Sequence, residues 1–163
     1  MTDTIRKKII DELAGLFSAY TFTSVAGMDV YRGRQVFDPD TEPPPLVTIL
    51  PRVEQNANTD YGIHDLAMPV DIICLARMGT SNPNNLGEAI LGELIKCTFG
   101  IQTTVGGVIT QLGGMTDTYA DAVVYKSGGI DAYPDEMGQQ IIHVGISIEI
   151  RYQTKAGNPY AQQ

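Results

Sequence analysis

Two histidines, His64 and His143, and two cysteines, Cys74 and Cys97, are the whole supply of imidazole and thiol in this chain of 163 residues. A histidine-based metal site would need carboxylates or both cysteines to complete it, and the cysteine spacing is not that of a zinc motif. Both cysteines lie in apolar stretches, where a free thiol behaves as a small hydrophobe. His143 alternates out of the apolar face of a strand, which points it at solvent or at a contact, and His64 stands at a strand entrance beside Asp65. Asp38, Asp40 and Glu42 put three carboxylates close together, as a calcium loop would. That loop lacks the glycine and the ligand rhythm of an EF-hand, and proline restricts its wrapping. The chain holds no Gly-x-Gly-x-x-Gly, no Gly-x-x-x-x-Gly-Lys-Ser/Thr and no Gly-x-Ser-x-Gly, so neither a phosphate cradle nor a nucleophile elbow is signalled. Tyr119, Tyr125, Tyr133, Tyr152 and Tyr160 come without the basic cluster that a stacking platform for single-stranded nucleic acid uses, and tyrosines more often bridge core and surface or anchor interfaces. Asp71 or Glu149 would serve as an enzyme's acid only in a concave site that shifts it. The expectation is a non-enzyme with no cofactor and no bound metal.

Composition sets the class. Apolar residues make up 43% and charged residues 18%, ordinary values for a globular domain. No stretch approaches the roughly 18 consecutive apolar residues of a membrane span. Arg6, Lys7 and Lys8 near the start imitate a signal peptide, but Asp11 and Glu12 interrupt the apolar run it needs, so no secretion signal and no membrane role are expected. The formal net charge is −8, and the eleven lysines and arginines are scattered. Static binding to nucleic acid, which relies on clustered cations to neutralise phosphates, is therefore not expected.

The elements that position these residues follow from periodicity. Ile5, Ile9, Leu13, Leu16 and Phe17 recur at helical spacing, with Asp3 or Thr4 as N-cap, and predict a helix to about Ser18 or Tyr20. One or two short strands are expected around Val25 and from Val30 to Val36. Asp38 to Pro45, with Pro43, Pro44 and Pro45 in a row, reads as a stiff acidic exposed connector. Leu46 to Leu50 reads as a strand closed by Pro51, and Gln55 to Tyr61 as a polar turn. Alternation at Leu66, Met68, Val70, Ile72 and Cys74 predicts a strand over Ile63 to Ala76, with Pro69 implying an edge position or a start nearer Val70. Asn82 as N-cap, Pro83 at the first helical position and Gly100 as stop bracket a second helix, with Leu86, Ala89, Ile90, Leu94 and Ile95 as its apolar face. The segment from Gln102 to Gln139 carries three Gly-Gly pairs, and short strands near Val108 to Leu112 and Ala122 to Tyr125 are expected within it. Ile142, Val144, Ile146, Ile148, Ile150 and Tyr152 alternate strictly with polar residues or glycine, marking a long strand with one wet and one dry face. Residues 154–163 read as an extended polar tail. The whole predicts a single α+β domain over 1–163, a mostly antiparallel, mixed sheet with two main helices packed on one face.

In this order the features resemble the tail terminator, or tail completion, proteins of long-tailed phages, the minor tail protein U type. Four stretches carry the resemblance: the opening helix Ile5-Arg-Lys-Lys-Ile-Ile-Asp-Glu-Leu; Val30-Tyr-Arg-Gly-Arg before a Pro-rich stretch and Leu46-Val-Thr-Ile-Leu-Pro; Asn82-Pro-Asn-Asn at the second helix; and Arg151-Tyr-Gln-Thr running on to Asn158-Pro-Tyr. Asn158 stands where that family's ending would have aspartate, and the Gly-rich middle has no counterpart. The resemblance implies a virion protein, made in the host cytoplasm, that forms a hexameric ring. The ring caps the tail tube, stops its polymerisation and meets the head–tail connector and neck proteins, while DNA passes through its lumen.

On that reading Arg32, Arg34, Pro43, Pro44, Pro45, Asn158, Pro159 and Tyr160 are candidates for contact with a neighbouring subunit or the tube. Asp117, Asp121, Asp131, Asp135 and Glu136 are candidates for an acidic lumen, where repulsion of phosphate lets DNA slide. Another neck or tail subunit, such as a head–tail joining or tube protein, is the nearest alternative, and a small ligand-binding accessory protein a more distant one.

Overall fold

The computed structural model describes residues 3–38, 40–80, 82–105, 108–112, 114–115, 119–134 and 140–161. Helix α1 spans Ile5–Ala19. Thr4 caps it, its hydroxyl accepting from the Lys7 amide at 3.2 Å, and Ile5, Ile9, Ile10, Leu13 and Phe17 make its buried stripe. Helix α2, Pro83–Phe99, begins at Asn82, whose side-chain oxygen accepts from the amides of Asn84 and Asn85. It stops at Gly100, whose φ of 74° suits glycine and whose amide donates to Lys96 O at 2.8 Å. The buried side of α2 runs through Gly87, Ile90, Glu93, Leu94, Cys97 and Thr98. Ala89, expected on that side, is exposed.

The strands are β1 (Asp29–Arg32), β2 (Leu46–Pro51), β3 (Gln55–Asp60), β4 (Ile63–Arg77), β5 (Ile101–Val105), β6 (Val108–Leu112), β7 (Ala122–Pro134) and β8 (Gln140–Lys155). Six form one sheet in the order β1-β2-β4-β8-β7, with β3 beside the first part of β4; β5 and β6 form a separate hairpin. Only β1 and β2 run parallel within the sheet. This is an α+β fold. Met68, Val70, Ile72, Cys74 and Ala76 of β4 and the alternate residues Ile142, Val144, Ile146, Ile148, Ile150 and Tyr152 of β8 face the core with α1 and α2. Each large apolar side chain buried there contributes about 1.5–3 kcal/mol.

Several expectations are corrected. No strand forms around Val25, because Thr23 and Ser24 bend to give their amides and hydroxyls to Glu93. The strand expected through Val36 ends at Arg32. Gly33, at φ 71°, turns the chain off the sheet edge, and Arg34 O accepts from the Thr48 hydroxyl at 2.6 Å as the chain crosses β2. Residues 55–60, expected as a turn, form β3; all six are exposed, so pairing with β4 holds them without any buried face to mark them. Pro69 sits in mid-strand, opposite Glu149 of β8. Its carbonyl faces the break between β2 and β3, where it accepts from the Arg52 amide at 2.8 Å. In an antiparallel strand a residue's amide and carbonyl point the same way, so the donor that proline lacks would have faced this gap and not β8. Strand β7 begins at Ala122, where a short strand to Tyr125 is expected, but runs on through Gly128-Gly129 to Pro134, the glycines pairing with Ile146 and Gly145.

The tail, expected to be extended, folds back. Thr154 and Lys155 finish β8. The chain then turns so that Ala156 donates to Gly62 O at 2.7 Å and Pro159 O accepts from the Ile5 amide at 3.0 Å. That amide is one of the unpaired donors at the start of α1, so the tail closes over the first helix. Among the described residues no helix is long and apolar enough to cross a membrane.

Candidate interaction surface

The sheet face away from the helices is open, and its polar side chains pair across strands. Asp71 of β4 accepts from the Ser147 hydroxyl of β8 at 2.6 Å and from Arg52 Nε at 2.7 Å. Asp65 accepts from the Gln153 amide at 2.8 Å. Glu149 is held by Arg151 at 2.9 Å and Lys126 at 3.2 Å, and these two cations, Arg151 first, draw its carboxyl below its ordinary range. Lys126 reaches it from a bulge in β7 between Tyr125 and Ser127.

A depression of about 360 Å³ interrupts this face, with Gly129 and Gly145 among its lining residues and Asp71, Ser127, Asp131, His143 and Ser147 around them. Gly129 and Gly145 are register partners, as are Asp131 and His143, and Ser127 and Ser147. Serine, histidine and aspartate in one hollow invite comparison with a hydrolase triad. Four residues of strand separate His143 from Ser147, on the order of 13 Å, and Ser127 stands opposite Ser147. A nucleophile and its base must lie within hydrogen-bond reach, so neither serine is activated by His143. The two thiols are equally unsuited to nucleophilic work, since burial pushes Cys74 and Cys97 up to about 12. Among the described residues no three His, Cys, Asp or Glu side chains are grouped to hold a metal ion.

Arg32 and Arg34 are engaged within the chain. Arg32 pairs with Asp11 of α1, which Lys7 also reaches at 2.6 Å. Arg34 forks onto Glu42, one of the two bonds being 2.7 Å, and its guanidinium lies 5.4 Å from the ring centres of both Tyr31 and Phe37. It thereby ties the Pro-rich connector to the rest of the molecule. Within that connector Pro43 is exposed and Pro44 and Pro45 are half-buried. Asn158, Pro159 and Tyr160 are exposed on the folded tail, where Asn158 Oδ1 accepts from the Tyr160 amide at 3.2 Å.

The two acidic candidates among the described residues, Asp121 and Asp131, do not sit together. Asp121 and Asp131 are exposed near opposite ends of β7, ten residues and about 33 Å apart along the strand. Partial burial, and then the nearby charge of Asp65, raise the carboxyl of Asp121. Asp117, Asp135 and Glu136 lie outside the described residues.

Three features carry no mark in the one-dimensional pattern. Tyr152 donates its hydroxyl to Glu54, which Arg6 of α1 also grips at 3.0 Å, so one carboxylate joins a helix, a strand and the β2–β3 break. Glu93 collects four donors from Thr23 and Ser24. Tyr61 stands 97% exposed at the β3–β4 turn with φ of 45°; Asp60-Tyr61-Gly62 signals a tight turn, but the tyrosine at its tip has no counterpart among usual turn residues. Neither a comparison with models of protein families nor one with curated proteins returns a match to this sequence.

Proposed function

We propose that this chain is a structural subunit of a phage tail, forming a ring, hexameric by resemblance, that caps the tail tube, ends its polymerisation and presents a surface to the neck proteins. A closed ring requires two unlike patches that meet head to tail. The observation that supports this most is the pair of unlike sheet edges. On one side lies β7, a strand of 13 residues and about 43 Å of backbone. On the other lie β1 and β3, short strands set one beyond the other along the β2–β4 side. Strand addition at such edges is a standard way for protein surfaces to join. Both helices pack on one face, leaving the second face for the tube or the neck. A net charge of −8 suits a lumen through which DNA slides without being held.

Electron microscopy of tails assembled without this protein tests the reading. Over-long tubes are the expected result. Tubes of normal length that fail to join heads would replace termination with a joining role. Particles in which its copies never meet around an axis would overturn the ring.

A further inference from the structure

Tyr61 is placed where folding alone gives no reason for it. It is the non-glycine residue among those described with positive φ, at 45°, a backbone region that bulky side chains avoid and asparagine or glycine tolerates. The residue is 97% exposed at the tip of the β3–β4 hairpin. Water and backbone geometry both disfavour a tyrosine here, while tyrosine is a preferred anchor of protein interfaces.

The same chain carries a slot that fits such an anchor. Residues 34–37 cross the open sheet face and leave a recess of about 240 Å³ against β2, β4 and β8. Phe37, Leu50, Ile73 and Leu75 supply apolar walls, and Gln35, Arg52 and His143 supply polar groups. The volume lies below the roughly 300–1,000 Å³ usual for small-molecule sites and suits a single aromatic side chain. Arg52 keeps 47% of its side chain exposed beside its contact with Asp71, so the slot has a cationic group. Asp60, next to the knob, is exposed and acidic. Knob and slot cannot meet within one molecule. Ile63, at the knob, and Leu75, at the slot, are twelve residues apart on β4, about 40 Å of strand.

We propose that Tyr61 of one copy of this chain seats between residues 34–37 and the sheet face of the next copy, making a head-to-tail contact. The inference rests on the ring reading for its closure. The contact itself needs only a second copy.

Chains carrying Tyr61→Cys, Gln35→Cys or both are treated with a short bismaleimide, in concentrated solution and on tail tubes. The double variant should give a ladder of linked oligomers, and neither single variant should. Linking by Tyr61→Cys alone would mean a symmetric tip-to-tip contact and overturn the proposal, as would absence of a ladder under both conditions. Tyr61→Asn provides a second reading. It suits the turn, so its melting temperature should equal or exceed that of the parent, while self-association should weaken at least ten-fold; unchanged association would also overturn the contact. Tube capping by the unaltered chain is scored separately by microscopy. A ladder without capping would leave the contact standing and remove the tail role, and capping without a ladder would do the reverse.

Discussion

Glu93 is the charged side chain with most at stake in this fold. It lies in the middle of α2, 7% exposed, and receives the amides of Thr23 and Ser24 at 2.6 and 3.1 Å together with both their hydroxyls. Burial pushes its carboxyl up; the four hydrogen bonds outweigh that and hold it below the ordinary range. A carboxyl lowered by folding contributes stability that is present above its unfolded pKa and lost as pH falls through the folded one. Glu93→Gln turns an amide group toward donors that need an acceptor and should cost about 1–3 kcal/mol at pH 7. Urea titrations of parent and variant check this at pH 7 and again at pH 3, where the gap should be narrower because part of the stability linked to the Glu93 charge is lost below the unfolded carboxyl range. An equal gap at both pH values would mean that the charge of Glu93 contributes nothing and that only its shape matters. Cys97, on the same helix, and Cys74, on β4, need no such test for reactivity, since burial, joined at Cys74 by the charge of Glu93, keeps both thiols protonated near neutrality.

Between elements, the approach of α2 to β7 depends on one missing side chain. A Cβ added to Gly87 would lie 2.6 Å from Cγ2 of Ile130, a branched atom close to its own backbone. Alanine in mid-helix gains up to about 1 kcal/mol over glycine, while overpacking costs about 1–3 kcal/mol. Gly87→Ala should therefore destabilise the chain, by roughly 1 kcal/mol net. In an Ile130→Ala background the same change should stabilise it, because the obstruction is gone. A double-mutant cycle followed by chemical denaturation measures that reversal of sign, and additive effects would refute it. This close approach also marks the limit of what the chain discloses in one dimension. Elements with a repeating apolar face were legible: α1 and α2 with their caps, β2, and the long β4 and β8. Elements held by pairing alone were not. Strand β3 is exposed at every residue and has no apolar rhythm, while β7 was legible only at its start, Ala122 to Tyr125, because beyond that it passes through two glycines. Pro69 misled because its tolerance depends on where β2 ends and β3 begins, a fact about neighbours. The candidate surface suffered similarly. Arg32 and Arg34 stand out as exposed cations in the sequence, but their carboxylate partners, Asp11 and Glu42, come from elsewhere in the chain. Nothing in the sequence singles out Tyr61, because only the backbone angle at that position makes its identity unusual.

At the scale of the whole molecule, charge sets how copies of this chain can approach. Each subunit carries a formal −8, and at about 10 mM salt the screening length is roughly 30 Å, enough for neighbouring subunits to feel one another's net charge. At about 150 mM it falls to around 8 Å, and the general repulsion between copies fades. The contacts proposed between subunits are strand edges and an aromatic seated in an apolar slot, neither of which loses much to salt. Self-association should therefore strengthen several-fold from the lower to the higher salt concentration, as read by sedimentation velocity at fixed protein concentration. Asp60 approaching Arg52 across the contact works in the opposite direction, but one exposed pair contributes only about 0.2–1 kcal/mol, less than the repulsion of two strongly acidic bodies held together. A fall in association with added salt would mean that ion pairs, and not edges and the Tyr61 knob, hold the copies together. In the proposed ring the same balance would govern DNA: an acidic lumen gains nothing by releasing counterions from a duplex, so the charge that delays assembly at low salt would also keep a passing genome from being held.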